Sequence, residues 1–292
     1  MDQQLIDLYH RFVGRAFDRQ LRLSEFVEKK APGVEWVFDT ETAILKFGTR
    51  LHFEAPIVGS HALHNDSWLW SWANRTIKLS ITNRALGDTI RAFAHKAMVP
   101  ELAKSAFPIE QVIGAELADF ACHVFGTVLV GELDYDAYFL MPYEGYEGLL
   151  LIRDDRLRSP EKHPLARVLS LFPQLIDTMP VLDHRAAFAS YAHSYGLVVV
   201  EESGVVKVTG HEKGELIATF DDQGLLASLK GTGVAVPKAK VAPPKKKVVK
   251  KKKPAPVKKS VAKVKPQPTP KTKAKVVAKK QARPKPKIGD KR

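Results

Sequence analysis

The stretch VEWVFDTETAILKFGTRLHFEA, residues 34–55, decides the fold. It holds three sets of alternating apolar residues: Val34, Trp36 and Phe38, then Ala43, Leu45 and Phe47, then Leu51, Phe53 and Ala55. Polar neighbours such as Lys46, His52 and Glu54 fall between them, so each set reads as a strand with one buried and one solvated face. The connections at residues 39–42 and at Gly48-Thr49 are of hairpin length, which makes the three strands an antiparallel meander.

Upstream, the first 31 residues read as one long amphipathic helix. Leu5, Tyr9, Phe12, Ala16, Leu23 and Phe26 recur at spacings of three and four, with Arg19 alone breaking the stripe, and Pro32-Gly33 ends it. Downstream, residues 61–66 read as a polar loop and residues 67–73 as a fourth strand. A helical middle follows. Asn83 is the expected N-cap of a helix burying Leu86, Ile90, Phe93 and Ala97, and a second helix after Pro108 buries Ile113, Leu117, Phe120 and Val124. Strands are expected at residues 137–141 and 149–152 around a turn-rich segment, 142–148. Helices at 163–179 and 183–195 then lead to strands at 197–200, 205–208, 216–220 and 225–229. Strands and helices come in blocks, which argues an α+β fold with antiparallel sheet rather than alternating βαβ units.

The charge is divided as sharply as the fold. The chain of 292 residues carries a formal net charge of +14. Residues 231–292 hold 21 Lys and 2 Arg against the single acid Asp290, a net of +22. Residues 1–230 are left with 23 basic and 31 acidic side chains, a net of −8, together with every aromatic residue and every His. Two parts are therefore expected: an acidic globular domain over 1–230 and a polycationic tail over 231–292. Cys122 is the only cysteine, which excludes an intramolecular disulfide and a cysteine-based zinc finger and fits a reducing cytoplasm. The start, MDQQLIDLYHRF, has no basic segment followed by an apolar one, and no run approaches the length of a membrane span. A cytoplasmic location without membrane attachment is expected.

Trp68-Leu69-Trp70-Ser71-Trp72-Ala73-Asn74 resembles a stretch of a bacterial family of unknown function labelled DUF6882. The likeness extends through residues 109–114, IEQVIG, residues 137–139, AYF, residues 183–188, DHRAAF, and Tyr195-Gly196, and it covers approximately residues 1–230. The order of elements is also similar to the family's. The resemblance implies a bacterial intracellular domain and carries no activity, cofactor or site with it. The tail is not part of that pattern.

Several residue groups invite a chemical reading. Trp68, Trp70 and Trp72 would project from one face of a strand, either as a platform for stacking a base or ring-shaped ligand or, as expected of a half-buried sheet, as core packing under the N-terminal helix. His61, His64 and Asp66 form a compact H-x2-H-x-D cluster that could converge on a divalent metal, although a loop lacks the fixed geometry of a helix and no metal is expected. Glu116 and Asp119 share a helix face and could act as an acid/base pair if that face lined a cleft. The neighbours Cys122 and His123 point about 100° apart on a helix and so make no catalytic dyad. Asp183-His184-Arg185 reads as an N-cap and first helical turn. The chain contains no glycine-rich phosphate loop, GxSxG elbow or HExxH motif, so neither catalysis nor a cofactor has positive support.

The tail does carry a functional signal. Residues 237–292 contain ten Pro with Ala and Val between lysines, a composition expected to stay disordered. It looks like the C-terminal tails of linker histones and of lysine-rich, histone-like proteins. Lys245, Lys246, Lys247, Lys250, Lys251, Lys252, Lys253, Lys258, Lys259, Lys279 and Lys280 are its densest cations, and their expected partner is nucleic acid, bound without sequence preference by counterion release. Lysine is a mobile point charge on phosphate, whereas base reading and stacking favour the arginine fork. On this reading the protein is nucleoid-associated and its acidic domain meets an unknown protein partner. In the alternative, the globular domain is a small-ligand-binding or enzymatic module and the tail is a solubilising or autoinhibitory extension.

Overall fold

The computed structural model describes residues 2–76 and 78–234, so the tail beyond residue 234 lies outside them. Helix α1 (Gln3–Lys30) is capped by Asp2, whose carboxylate accepts from the Leu5 amide at 3.1 Å. Behind it the meander forms as read, with β1 (Trp36–Asp39), β2 (Ile44–Phe47) and β3 (Leu51–Glu54) in a three-stranded antiparallel sheet. Asp39 shapes the first turn by accepting from the amides of Glu41 and Thr42. Leu45, Phe47, Leu51 and Phe53 are buried while Lys46, His52 and Glu54 are exposed.

A second, five-stranded sheet is the middle layer. It comprises β4 (Ile57–Ala62), β5 (Ser67–Trp70), β6 (Ala106–Pro108), β7 (Ala137–Tyr143) and β8 (Tyr146–Ile152), in the order β6-β5-β4-β8-β7. Strand β4 departs from the expected loop, because His61 and Ala62 are strand residues. All six of its positions are buried, so it shows none of the polar alternation by which a half-solvated strand is recognised. Strand β5 stops at Trp70, and Ser71–Ala73 form a 3-10 turn instead of its continuation. The expected turn at 142–148 contracts to Glu144-Gly145, with Gly145 at φ +73° and Tyr143 paired to Tyr146.

Strand β8 shows why this sheet is central. Leu149 and Leu151 enter a large core shared with the helices, and Leu150 and Ile152 enter a smaller core under the meander with Leu45, Phe47 and Phe53. Helix α2 (Ile81–Lys96) is capped by Ser80, which accepts from the Asn83 amide at 3.2 Å, and not by Asn83 itself. Asn83 is fully buried, and its side-chain oxygen accepts from the Ile57 amide at 2.9 Å. A buried backbone donor at the start of β4 has taken the side chain that would otherwise cap a helix. The single helix expected after Pro108 is three pieces, α3 (Ile109–Ile113), α4 (Ala115–Ala118) and α5 (Ala121–Glu132), broken first at Gly114 with φ +83°. Ile113, Leu117 and Val124 are buried all the same.

Helices α6 (Pro164–Thr178) and α7 (His184–His193) lead to the last sheet, β9 (Val198–Glu202), β10 (Val205–Thr209), β11 (Glu215–Phe220) and β12 (Leu226–Thr232), a meander in the order β12-β11-β10-β9. Strand β12 carries the folded part past residue 230. Helices α1 and α7 meet at Gly14, where a Cβ would stand 2.4 Å from Tyr191 Cβ, so no side chain fits between them. Among the described residues, no helix is long and apolar enough to cross a membrane.

Candidate functional site

Arg15, Asp18, Arg19 and Arg22 recur at spacings of three and four on α1, so they form one polar stripe along its middle. Opposite them are Asp134 and Asp136 from the approach to β7, Arg158 and Glu161 from the loop before α6, and Tyr195 just after α7. Together they line a cleft of about 520 Å³.

Buried carboxylates organise the cleft. Asp18, with a side chain 6% exposed, accepts from Arg167 Nε at 2.7 Å, from Arg22 Nε at 3.2 Å and from the Tyr195 hydroxyl. Arg22 also reaches Glu161 at 3.2 Å and the Ser159 carbonyl at 2.5 Å. Asp136 accepts from Arg158 Nε at 2.7 Å and from the Asp154 amide at 2.8 Å. Burial and then the Asp18 charge push the Tyr195 hydroxyl above its ordinary range, so it stays protonated and donates.

Asp134 differs from these acids. It is 70% exposed, sits at φ +52°, and faces Nη2 of Arg15, Arg19 and Arg158 at 4.0, 3.6 and 4.0 Å. Arg19 is the anchored member of the three, donating to the carbonyls of Val130 and Tyr135 beside the C-terminal end of α5. Burial, and then the charge of Arg15, lower the pKa of its guanidinium. The cleft therefore presents guanidinium forks that its own carboxylates do not fully occupy.

The residues singled out by sequence lie elsewhere. Trp68 and Trp70 are 0% exposed. Trp68 packs on Phe125 of α5 with ring centroids 4.6 Å apart, and Trp70 stacks on Trp72 at 4.8 Å and 11°. Phe125 of α5 covers both rings, in one core with Leu5, Tyr9 and Val13 of α1, and Arg91 lies over the half-buried Trp72. A ligand could stack on Trp68 or Trp70 only by unpacking the core. His61 is buried and pairs with Asp66 at 2.7 Å, while the exposed His64 stands edge-on to Tyr146. Among the described residues, no group of three His, Cys, Asp or Glu side chains is arranged to hold a metal ion. Glu116 and Asp119 are exposed, and Asp119 falls between α4 and α5 rather than on a shared helix face. Cys122 is buried, and His123 Nδ1 lies 2.8 Å from the Tyr138 hydroxyl, its pKa pushed down to about 4 by burial. Asp183 caps α7 by accepting from the Ala186 amide at 2.9 Å. His184 Nδ1 accepts from the Leu226 amide at 3.0 Å, and Arg185 pairs with Glu201. The tail lysines, Lys245 to Lys280, lie outside the described residues.

None of the cleft residues was marked by a motif. One signal was present: Arg19 interrupts the apolar stripe of α1, and it is this residue that enters the cleft wall. Asp18 had no such mark, because its partners Arg167 and Tyr195 are more than a hundred residues away.

Residues 6–155 match the model of a family of unknown function, DUF6882. The match includes the tryptophan stretch, residues 109–114 and residues 137–139, and stops short of residues 183–188 and Tyr195. No curated protein and no solved structure matches the chain.

Proposed function

The chain belongs to DUF6882, a family of unknown function, and we propose that this member associates with nucleic acid through residues 231–292, without sequence preference, while its acidic folded part is displayed to a protein partner. The observation that carries the reading is the separation of +22 in the last 62 residues from −8 in the rest. Each phosphate that such a segment neutralises releases condensed counterions, so a fraction of its lysines is enough for tight binding at low salt. The excess of 21 Lys over 2 Arg, with no aromatic residue, supports backbone contact rather than base reading. Association of this kind would place the protein on the nucleoid. The acidic part is repelled by the same polyanion and so stays free for a second contact.

The test is duplex DNA binding, read by fluorescence anisotropy, for the full chain and for a truncation after Val234, the last described residue. The full chain should bind with log K falling by about 0.9 for every phosphate contacted per log unit of salt, and the truncation should bind far more weakly. Equal binding by the two proteins, or an affinity that ignores salt, overturns the proposal.

A further inference from the structure

We infer that the cleft between α1, the segment before β7 and the loop before α6 is a binding site for a small phosphorylated compound, with Arg15, Arg19 and Arg158 as the receptor for its phosphoryl group and Asp134 as a resident placeholder. The inference is independent of the tail, whose cations are lysine point charges except for two arginines.

It rests on a mismatch in how the acids of the cleft are engaged. Asp18, Asp136 and Glu161 each touch an arginine at 3.2 Å or less. Asp134 gathers three arginines but holds none of them, its shortest distance being 3.6 Å, whereas a charge-assisted hydrogen bond spans about 2.7–2.9 Å. One carboxylate has two oxygens to offer three forks. A phosphoryl group has three terminal oxygens and a greater charge, and it can accept from Nη2 of each arginine at once. Asp134 is also the residue best placed to leave. It is 70% exposed, and φ +52° at a non-glycine residue costs some strain that a rearrangement of the turn would release.

The receptor is preorganised. Arg19 is pinned by the Val130 and Tyr135 carbonyls and Arg158 by Asp136, so two of the three forks keep their aim without a ligand and binding costs little ordering. The space exceeds what an inorganic ion needs. About 520 Å³ lies within the range of small-molecule sites, and Leu157, Pro160 and Pro164 supply an apolar wall for an organic body.

The experiment is isothermal titration of the full-length protein and of two full-length variants, Asp134→Asn and Arg15→Gln, with inorganic phosphate and with phenyl phosphate. The tail is identical in all three proteins, so its contribution cancels in the comparison. Asparagine tolerates positive φ, and Arg15 is half-exposed, so both variants should keep the wild-type melting temperature, which is measured alongside. Removing the placeholder charge in Asp134→Asn should tighten phosphate binding about tenfold, and removing one fork in Arg15→Gln should weaken it about tenfold. Phenyl phosphate should bind more tightly than inorganic phosphate if the apolar wall holds the organic body. If it binds more weakly, the site takes free phosphate rather than an ester, which overturns the assignment to a phosphorylated compound. Opposite shifts from the two variants are not expected of arginines that merely brace the fold. Equal affinities in all three proteins would assign the anion to the tail, and weaker binding by Asp134→Asn would make Asp134 a structural partner. Either result overturns the inference.

Discussion

The tryptophan stretch and the polar stripe of α1 teach opposite lessons about where a sequence shows its function. Trp68, Trp70 and Trp72 are conspicuous, three of the chain's four tryptophans within five residues, and two of them are wholly interior. Asp18, Arg19 and Arg22 carry no motif in sequence, yet with Arg15, Asp134, Asp136, Arg158 and Glu161 they line one charged cleft. A large ring is concentrated in a strand because burial of its area is worth several kcal/mol, so aromatic density reports first on the core. A buried charge is tolerated only where partners meet it, and those partners come from anywhere in the chain.

The comparison can be broken most forcefully at Trp70. Replacing it with Ala leaves a cavity beside Trp68, Trp72, Phe107 and Phe125 and should cost about 4 kcal/mol, measured as a shift in the urea midpoint. A loss under about 1 kcal/mol would mean that the rings are not packed as core and would reopen their use as a platform. The next effect belongs to the stripe. Asp18→Asn removes the charge that Arg22, Arg167 and Tyr195 converge on; Arg22 keeps Glu161, but leaving Arg167 uncompensated should cost about 3 kcal/mol by the same measurement. The additional replacement Arg167→Met should recover part of that loss if the cost is an orphaned charge rather than lost packing.

The smallest effect concerns acid and falls on the aromatic side, because His123 is on α5, the helix that covers Trp68. Its pKa is held at about 4 in the folded chain, against 6.5 as the ordinary value. The unfolded chain therefore takes up a proton first as pH falls. Stability is complete above the ordinary value and is lost progressively as pH drops toward the folded one, by about 1 kcal/mol at about pH 5.5. Urea unfolding across that range should show the decline, and His123→Gln, which cannot ionise, should flatten it. His10 acts in the same direction: burial lowers its pKa, and its Nε2 accepts from the amides of Leu182 and Asp183, which protonation would abolish.

Much of the fold was legible because its segments are half-buried. Strands β2 and β3 of the meander and β10 and β11 of the final sheet alternate in burial, and the turns carry Asp39, Gly48 and Gly224 where turn chemistry wants them. What escaped was buried on both sides or committed to a distant partner. Strand β4 lacked a polar face to announce it, and Asn83 carried the label of a cap while serving the Ile57 amide. The long helix expected after Pro108 kept its apolar period through Gly114, since periodicity survives a break that only a backbone angle reveals. The cleft was illegible for the same reason as Asn83. Its pairs join residues 18 to 167, 18 to 195 and 22 to 161, separations at which no spacing rule applies.

Strand β8 has one more consequence, which concerns information. Leu149 and Leu151 serve one core while Leu150 and Ile152 serve the other, so a slip of one residue would exchange two sets of nearly equal volume and equal polarity. Hydrophobic burial, which elsewhere rejects a wrong alignment at once, is almost blind to the error here. A strand with a core on each face thus says little about its own position. Its alignment is dictated instead from its solvent end, by the two-residue turn at Glu144-Gly145, where a positive φ at a single glycine counts the strand into place.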